Sequence, residues 1–379
     1  MTRPDPIYLD HAATTPLWPQ ARATMAPLLE GAFGNASSLH AAGRDARKAV
    51  EEAREAVASA AGVRPEEVVF TSGGTEADNL ALKGIAWRAR HEGRDGIVVS
   101  AIEHHAILDV AEWLARNGFR LSVIQVDADG VVDLDALAAA VDRTTAIVSV
   151  MQANNEVGVI QPVASAAEIT RAAGARFHTD AVQAAPWIPL ADADLLSLSA
   201  HKLGGLKGVG ALLVRRGVGL EPLLHGGGQE RGIRSGTYNV AGIAGFGAAV
   251  TATMQAQPAL SERVRALRDR MEGALLERID GVAVNAAGAE RLPNNCNVCI
   301  DGVEANSLLM LLDGEGVAAS SGSACQSGAP EPSHVLLAMG VAKERALGAL
   351  RLTLGRDTSE DDVDRAVDVV ARAVARLRR

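Results

Sequence analysis

The stretch Val68-Val-Phe-Thr-Ser-Gly-Gly-Thr-Glu76 decides how the chain is read. Three apolar, β-favouring residues meet a turn of small residues, and a helical pattern follows at once, so the segment spells strand, tight turn, helix. The turn would present its backbone N–H groups at a helix N-terminus, where an anion such as phosphate is favoured. The pattern is neither a Walker A sequence nor a G-x-G-x-x-G fingerprint, and a strand-to-helix turn without a ligand reads the same way.

The same alternation extends outward from residue 44 to about 255. Apolar runs at Val68–Phe70, Ile97–Val99, Leu121–Ile124, Ala146–Val148, Phe177–Thr179, Leu195–Leu198 and Ala211–Val214 are separated by amphipathic helical stretches. Unbroken apolar runs suit strands covered on both faces, hence an α/β fold built on a mostly parallel seven-stranded sheet. Ala46, Ala49, Val50, Ala53, Val57 and Ala60 mark one helix face that Gly62 would end. A boundary is expected near Gln255–Pro258. After it come a helix from about Ser261 to Arg278, strand-like pieces, and a closing helix with Val363, Val367, Val370, Val374 and Leu377 on one face. This predicts a large domain over 15–255 and a smaller α+β domain formed by 1–14 and 256–379.

The 379 residues are 48% hydrophobic, enough for two cores, with a net charge of -9 and no run of basic residues. No direct nucleic-acid contact is expected, and no stretch approaches the roughly 20 apolar residues that span a bilayer, so the expected compartment is the cytoplasm with no membrane partner. Three cysteines are too few for a disulfide framework. Five lysines stand beside 32 arginines. A lysine kept in such a chain draws attention to its amine, because a guanidinium cannot form a Schiff base.

Two further run ends carry chemistry. Asp180 closes Arg176-Phe-His-Thr-Asp180 and is followed by Gln183, while Lys202 closes Ser199-Ala-His-Lys202. The carboxyl ends of strands are where open α/β sheets bind ligands, although an Asp capping the next helix reads similarly. The 22 residues between the two allow one crossover unit, which brings both to one sheet edge. An amine, a carboxylate and a phosphate cradle together are what pyridoxal phosphate requires: the amine condenses with its aldehyde and the acid keeps its ring nitrogen protonated. Lys207 is a rival amine that periodicity does not separate from Lys202.

Nine blocks, in order, carry a resemblance: Tyr8-Leu-Asp-His-Ala-Ala-Thr-Thr-Pro16, Thr71–Glu76, Glu103-His104, Asn154-Asn-Glu-Val-Gly158, Asp180–Gln183, Ser199–Lys202, His225-Gly-Gly-Gly-Gln-Glu-Arg231, Arg234-Ser-Gly-Thr237 and Ser320-Ser-Gly-Ser-Ala-Cys325. The chain resembles the cysteine desulfurases, fold-type-I pyridoxal-phosphate enzymes of the class-V aminotransferase family. The resemblance implies conversion of L-cysteine to L-alanine, with the sulfur passed to an enzyme persulfide. It implies that Lys202 holds the cofactor, Asp180 pairs with the ring nitrogen, Gln183 bonds the phenolic oxygen, and His104 stacks on the ring and moves protons. Gly74, Thr75, Ser199 and His201 would bind phosphate. Thr237 would reach the phosphate of a neighbouring subunit, which makes the protein a homodimer. Asn155 and Arg351, with Asn35, would hold the substrate carboxylate.

Arg351 also follows from its strand. In Leu350-Arg-Leu-Thr-Leu354 the leucines alternate, so Arg351 and Thr353 share the other face. A guanidinium there could grip a carboxylate, and a lone strand arginine also occurs as a surface charge.

Cys325 lies among small residues from Ser320 to Pro330, which suggests a loop rather than a packed element. An exposed thiol with a pKa near ~8.5 is only slightly ionised at neutral pH, so a neighbouring base would help it. The run to Pro332 resembles the long-loop group of desulfurases, which pass sulfur to an acceptor protein for iron–sulfur assembly, tRNA thiolation or DNA phosphorothioation. Cys296 and Cys299 have C-x-x-C spacing, but in a strand positions three apart face opposite sides, and no metal is expected. Gly205-Leu-Lys207 lacks the proline common after the lysine motif, and Cys299 stands where the family often has serine. Rival readings are a selenocysteine lyase or aminotransferase of the same superfamily, which would not depend on Cys325 in the same way, and a cofactor-binding scaffold.

Overall fold

The seven apolar runs do assemble into one sheet. The computed structural model describes residues 6–322 and 331–379. Its strands are β1 (Ile7–Tyr8), β2 (Val68–Thr71), β3 (Gly96–Ser100), β4 (Arg120–Ile124), β5 (Thr145–Ser149), β6 (Arg176–Asp180), β7 (Leu195–Ser199), β8 (Gly210–Val214), β9 (Val282–Val284), β10 (Asn295–Ile300), β11 (Val317–Ala318) and β12 (Ala349–Thr353). The large sheet has the order β2-β8-β7-β6-β5-β3-β4. Strands β7, β6, β5, β3 and β4 run parallel, and β8 is antiparallel to both its neighbours. The carboxyl ends of β2, β3, β5, β6 and β7 therefore share one edge.

Five of these strands, β2, β3, β5, β7 and β8, are buried throughout, as helices on both faces require. The apolar reading of Leu121–Ile124 needs correction. Strand β4 is the sheet edge, and Val123 is 43% exposed because only one neighbour covers it. The helix Ala41–Ala61 ends as expected at Gly62, whose φ of 63° places it in the left-handed region that spares glycine a steric penalty.

The expected helix start near Ser261 is also corrected. One helix runs unbroken from Val240 to Arg278, straight through Pro258. A proline removes one backbone donor and bends a helix without having to end it. Its later half presents Val264, Leu267, Met271 and Leu275 to a core shared with Leu350 and Leu352 of β12 and Val363, Val367, Val370 and Val374 of the closing helix Glu360–Leu377.

Beside these lie the antiparallel sheet β12-β10-β9 and the parallel pair β1-β11. Strand β10 divides its two thiols as its period dictates. Cys296 enters the core beneath the closing helix, and Cys299 enters a separate one with Val157 and Met339. Among the described residues no helix is long and apolar enough to cross a membrane.

Candidate active site

The shared sheet edge opens on a cavity of about 400 Å³, within the range of small-ligand sites. Each wall follows from a strand end. Strand β2 delivers Gly74 and Thr75 at the start of the helix Gly74–Arg90, and β3 delivers His104. Strand β5 leads to Asn155, β6 ends at Asp180, and β7 ends at Ser199 with His201 and Lys202 in the following turn. From the other sheet β12 contributes Arg351. Ten sequence-predicted residues thus converge: Gly74, Thr75, His104, Asn155, Asp180, Gln183, Ser199, His201, Lys202 and Arg351. The rival Lys207 is absent from the cavity lining.

Two described residues among the predicted ones are not brought there. Asn35 is exposed, with its Oδ1 accepting the Ser37 N–H at 2.9 Å, and Thr237 is exposed in a small separate pocket beside Thr71 and Arg234. Cys325 lies outside the described residues. Ser320 and Gly322 before that segment and His334 after it line the same cavity, and Ser320 exchanges two backbone hydrogen bonds with Arg351.

Lys202 Nζ donates to the carbonyls of Ala12 and, at 3.0 Å, Ala13. Burial pushes its pKa down to about 8; nearby Arg351 lowers it too, against the opposing pull of Asp180 and Asp10. A sizeable neutral fraction makes the amine both nucleophile and base near neutral pH. Gln183 Nε2 donates to Ala12 O at 3.0 Å, so one carbonyl gathers both predicted cofactor ligands.

Asp180 is buried, accepts the Val182 N–H at 2.8 Å, and has its pKa raised by burial to about 6. A column of polar groups lies behind it. His178, on the same face of β6, meets Ser149 Oγ at 2.9 Å and Ser197 Oγ at 3.0 Å, with Asp78 Oδ1 at 3.7 Å. The last distance suits an ion pair, but the charges do not. Burial drives His178 down to about 3 and Asp78 well up, so both stay neutral, and Asp78 Oδ1 makes no hydrogen bond.

Arg351 donates from Nη2 to Asp10 Oδ1 at 2.9 Å and from Nη1 to the Asn155 carbonyl at 2.8 Å. Its Nε is buried without a partner. This arginine is 5% exposed, which removes the surface-charge alternative.

These groups fit pyridoxal phosphate. Small residues at a helix N-terminus with Ser199 and His201 beside them form an anion cradle, and an added Cβ at Gly74 would come within 2.9 Å of Val182, so the backbone there is closely approached. The buried acid and the depressed amine supply the rest.

Known proteins agree. Residues 7–366 match the model of the class-V aminotransferase family. The curated cysteine desulfurase IscS of Dictyoglomus turgidum is 45% identical over 98% of this chain and 95% of its own length. The chain belongs to the cysteine desulfurases of the class-V aminotransferase family. Its enzymes use pyridoxal phosphate, and the cavity groups are those that such a cofactor needs. Among solved structures a NifS-like protein superposes with a TM-score of 0.92 at 36% identity, covering 98% of this chain and 99% of that one. A second, described as SspA in complex with cysteine, gives 0.81 at 32% identity over 92% and 98%.

Three cavity residues, Asp78, Glu156 and His334, and Asp10, which pairs with Arg351 of the cavity wall, escaped sequence reasoning as site residues. Asp10 and Glu156 sit inside quoted motifs, and His334 follows the small-residue run closely, so position gave a signal. Asp78 gave none, because a helix interior acid ordinarily faces water.

Proposed function

We propose that this enzyme removes sulfur from L-cysteine, releases L-alanine and retains the sulfur on Cys325 as a persulfide. The observation that carries it is the convergence of Lys202, Asp180 and Arg351 on one cavity whose wall also holds both described flanks of the Cys325 segment. Atoms balance: the substrate C–S bond breaks, an S–S bond forms to Cys325, and the former Cβ gains a proton to become the alanine methyl group. The SspA structure, described with cysteine, supports the choice of substrate.

Bound pyridoxal phosphate supplies an electron sink for the pair left when the α-proton departs. Lys202 would hold the cofactor and, as a neutral amine, would take the substrate α-proton. Asp180, as a carboxylate, would serve the ring nitrogen, Gln183 the phenolic oxygen, and Gly74, Thr75, Ser199 and His201 the phosphate. Arg351, with Asn155, receives the substrate carboxylate, and a guanidinium suits that planar anion. His104 would lie against the ring and exchange protons.

The active unit is a homodimer in which Thr237, exposed and outside the lining of its own cavity, serves the neighbouring subunit's phosphate. Mixing Lys202→Ala and Thr237→Val protomers tests this, because only shared sites restore one intact cavity. The persulfide goes on to an acceptor protein in the cytoplasm, which co-purification would identify.

Alanine and sulfide are to be measured from purified holoenzyme with L-cysteine and dithiothreitol. Cys325→Ala is expected to abolish both products. Full sulfide release by that variant sinks the thiol mechanism and favours a lyase or aminotransferase of the same superfamily.

A further inference from the structure

Four histidines line the cavity; His201 stands with the phosphate cradle, and the hydrogen bonds of the other three fix which of their nitrogens carries a proton. His104 caps the helix His105–Arg116, and its Nδ1 accepts the Ala106 N–H at 3.1 Å. A nitrogen that accepts a backbone N–H bears no proton, so the proton of His104 sits on Nε2. Burial and Lys202 push this histidine down to about 4, in keeping with a neutral ring. His104 therefore offers the cavity a donor and has no free lone pair there with which to accept.

His334 has the reverse arrangement. Its Nε2 lies 3.0 Å from the Glu103 carbonyl, which can only accept, so Nε2 carries the proton and Nδ1 keeps the lone pair. Nδ1 sits 3.9 Å from Glu156 Oε1. Glu156 is itself buried, and its other oxygen accepts the Ser333 hydroxyl at 2.5 Å. Ser333 also caps the short helix that His334 begins, accepting Leu336 N–H at 3.1 Å. The carboxylate is thus held in place beside the imidazole. The ring of His105 lies 4.8 Å away, with its Nδ1 donating to Asp109 at 3.3 Å and 47% of its side chain in solvent. Of the remaining bases, His201 meets Thr14 Oγ1 at 3.2 Å within the phosphate cradle, and Lys202 is taken up by the cofactor when turnover begins.

We propose that His334 is the base that takes the proton from a thiol in this cavity, with Glu156 stabilising the imidazolium, while His104 acts as a proton donor. The assignment rests on the desulfurase reading. In the step the S–H bond breaks, the sulfur keeps the electron pair, and the proton forms an N–H bond at Nδ1. The resulting cation faces the Glu156 carboxylate and the Glu103 carbonyl. His105, His104 and Lys202 are the other titratable groups around it.

The test uses full-length holoenzyme. His334→Gln keeps an amide donor for the Glu103 carbonyl but has no basic nitrogen. Its kcat for alanine release should fall about 10²- to 10⁴-fold, the usual contribution of a positioned base, with KM for L-cysteine and the cofactor absorbance unchanged. His105→Gln should stay within a few-fold of wild type. His334→Ala should regain rate in proportion to added imidazole. A Gln variant within threefold of wild type, an equal or larger loss in His105→Gln, or an Ala variant indifferent to imidazole overturns the assignment. Wild-type enzyme that yields no alanine would remove the desulfurase reading, and the role of His334 with it.

Discussion

Glu230→Ala should be among the most destabilising single changes available in this chain. Glu230 is 3% exposed and accepts two bonds from Arg54, at 2.9 Å to Nη1 and 2.6 Å to Nη2, and a third from Phe70 N–H at 2.9 Å. Arg54 is equally buried, and the pairing with Glu230 raises its pKa beyond that of an ordinary guanidinium. The pair ties the helix Ala41–Ala61 to the strand that leads into the phosphate cradle. Truncating the acid strands a backbone donor and leaves the buried cation only Glu51, at 2.9 Å from Nε, and the Val68 carbonyl; breaking such a buried pair costs about 3–5 kcal/mol. With an unfolding entropy of roughly 2.1 cal/mol/K per residue over 379 residues, that loss corresponds to about 4–6 °C in Tm. Denaturant and thermal unfolding of the holoenzyme, followed by circular dichroism, measure it. The double variant Arg54→Met/Glu230→Leu should recover most of the loss, since it leaves no buried charge. A single-variant cost below about 1 kcal/mol, the range of exposed pairs, would refute the account.

Asp78→Asn should leave stability at neutral pH unchanged or raised. Asp78 is held protonated in the fold, so the native state binds the extra proton and loses stability as pH rises above the unfolded carboxyl pKa of ~3.9; the amide removes that loss. Denaturation between pH 5 and 8 checks it, and a clear destabilisation would mean that Asp78 is ionised against His178. Gly210→Ala should weaken cofactor retention, because the new Cβ would meet Gly73 C and Leu198 O at 2.6 Å; dialysis followed by cofactor absorbance reads the loss. Arg351→Lys should raise KM for L-cysteine about 10- to 150-fold, the worth of one charge-assisted hydrogen bond of about 1.5–3 kcal/mol, with unchanged cofactor absorbance.

Much of this site was legible because sheet geometry turns sequence position into spatial position. Asp180 and Lys202 each close an apolar run, and parallel strands must bring such ends to one edge. Arg351 was legible from the alternation of its leucines. The edge position of β4 was not, since Leu121–Ile124 is as apolar as a central strand, and strand order is fixed by long-range pairing. Pro258 misled for the opposite reason: a local breaker lost to tertiary packing along Val264, Leu267 and Met271. Glu156 and His334, 178 residues apart, meet only because two sheets face each other across the cavity.

The division of the thiols on β10 has a practical use. Cys296 and Cys299 are both fully buried, and burial raises the pKa of each thiol, so neither offers thiolate to a reagent. Any alkylating label taken up quickly by the native enzyme therefore reports on residue 325 by elimination, and unfolding the same sample exposes two further equivalents as an internal standard. Persulfide occupancy becomes countable by mass, in turnover and at rest, without removing a single cysteine.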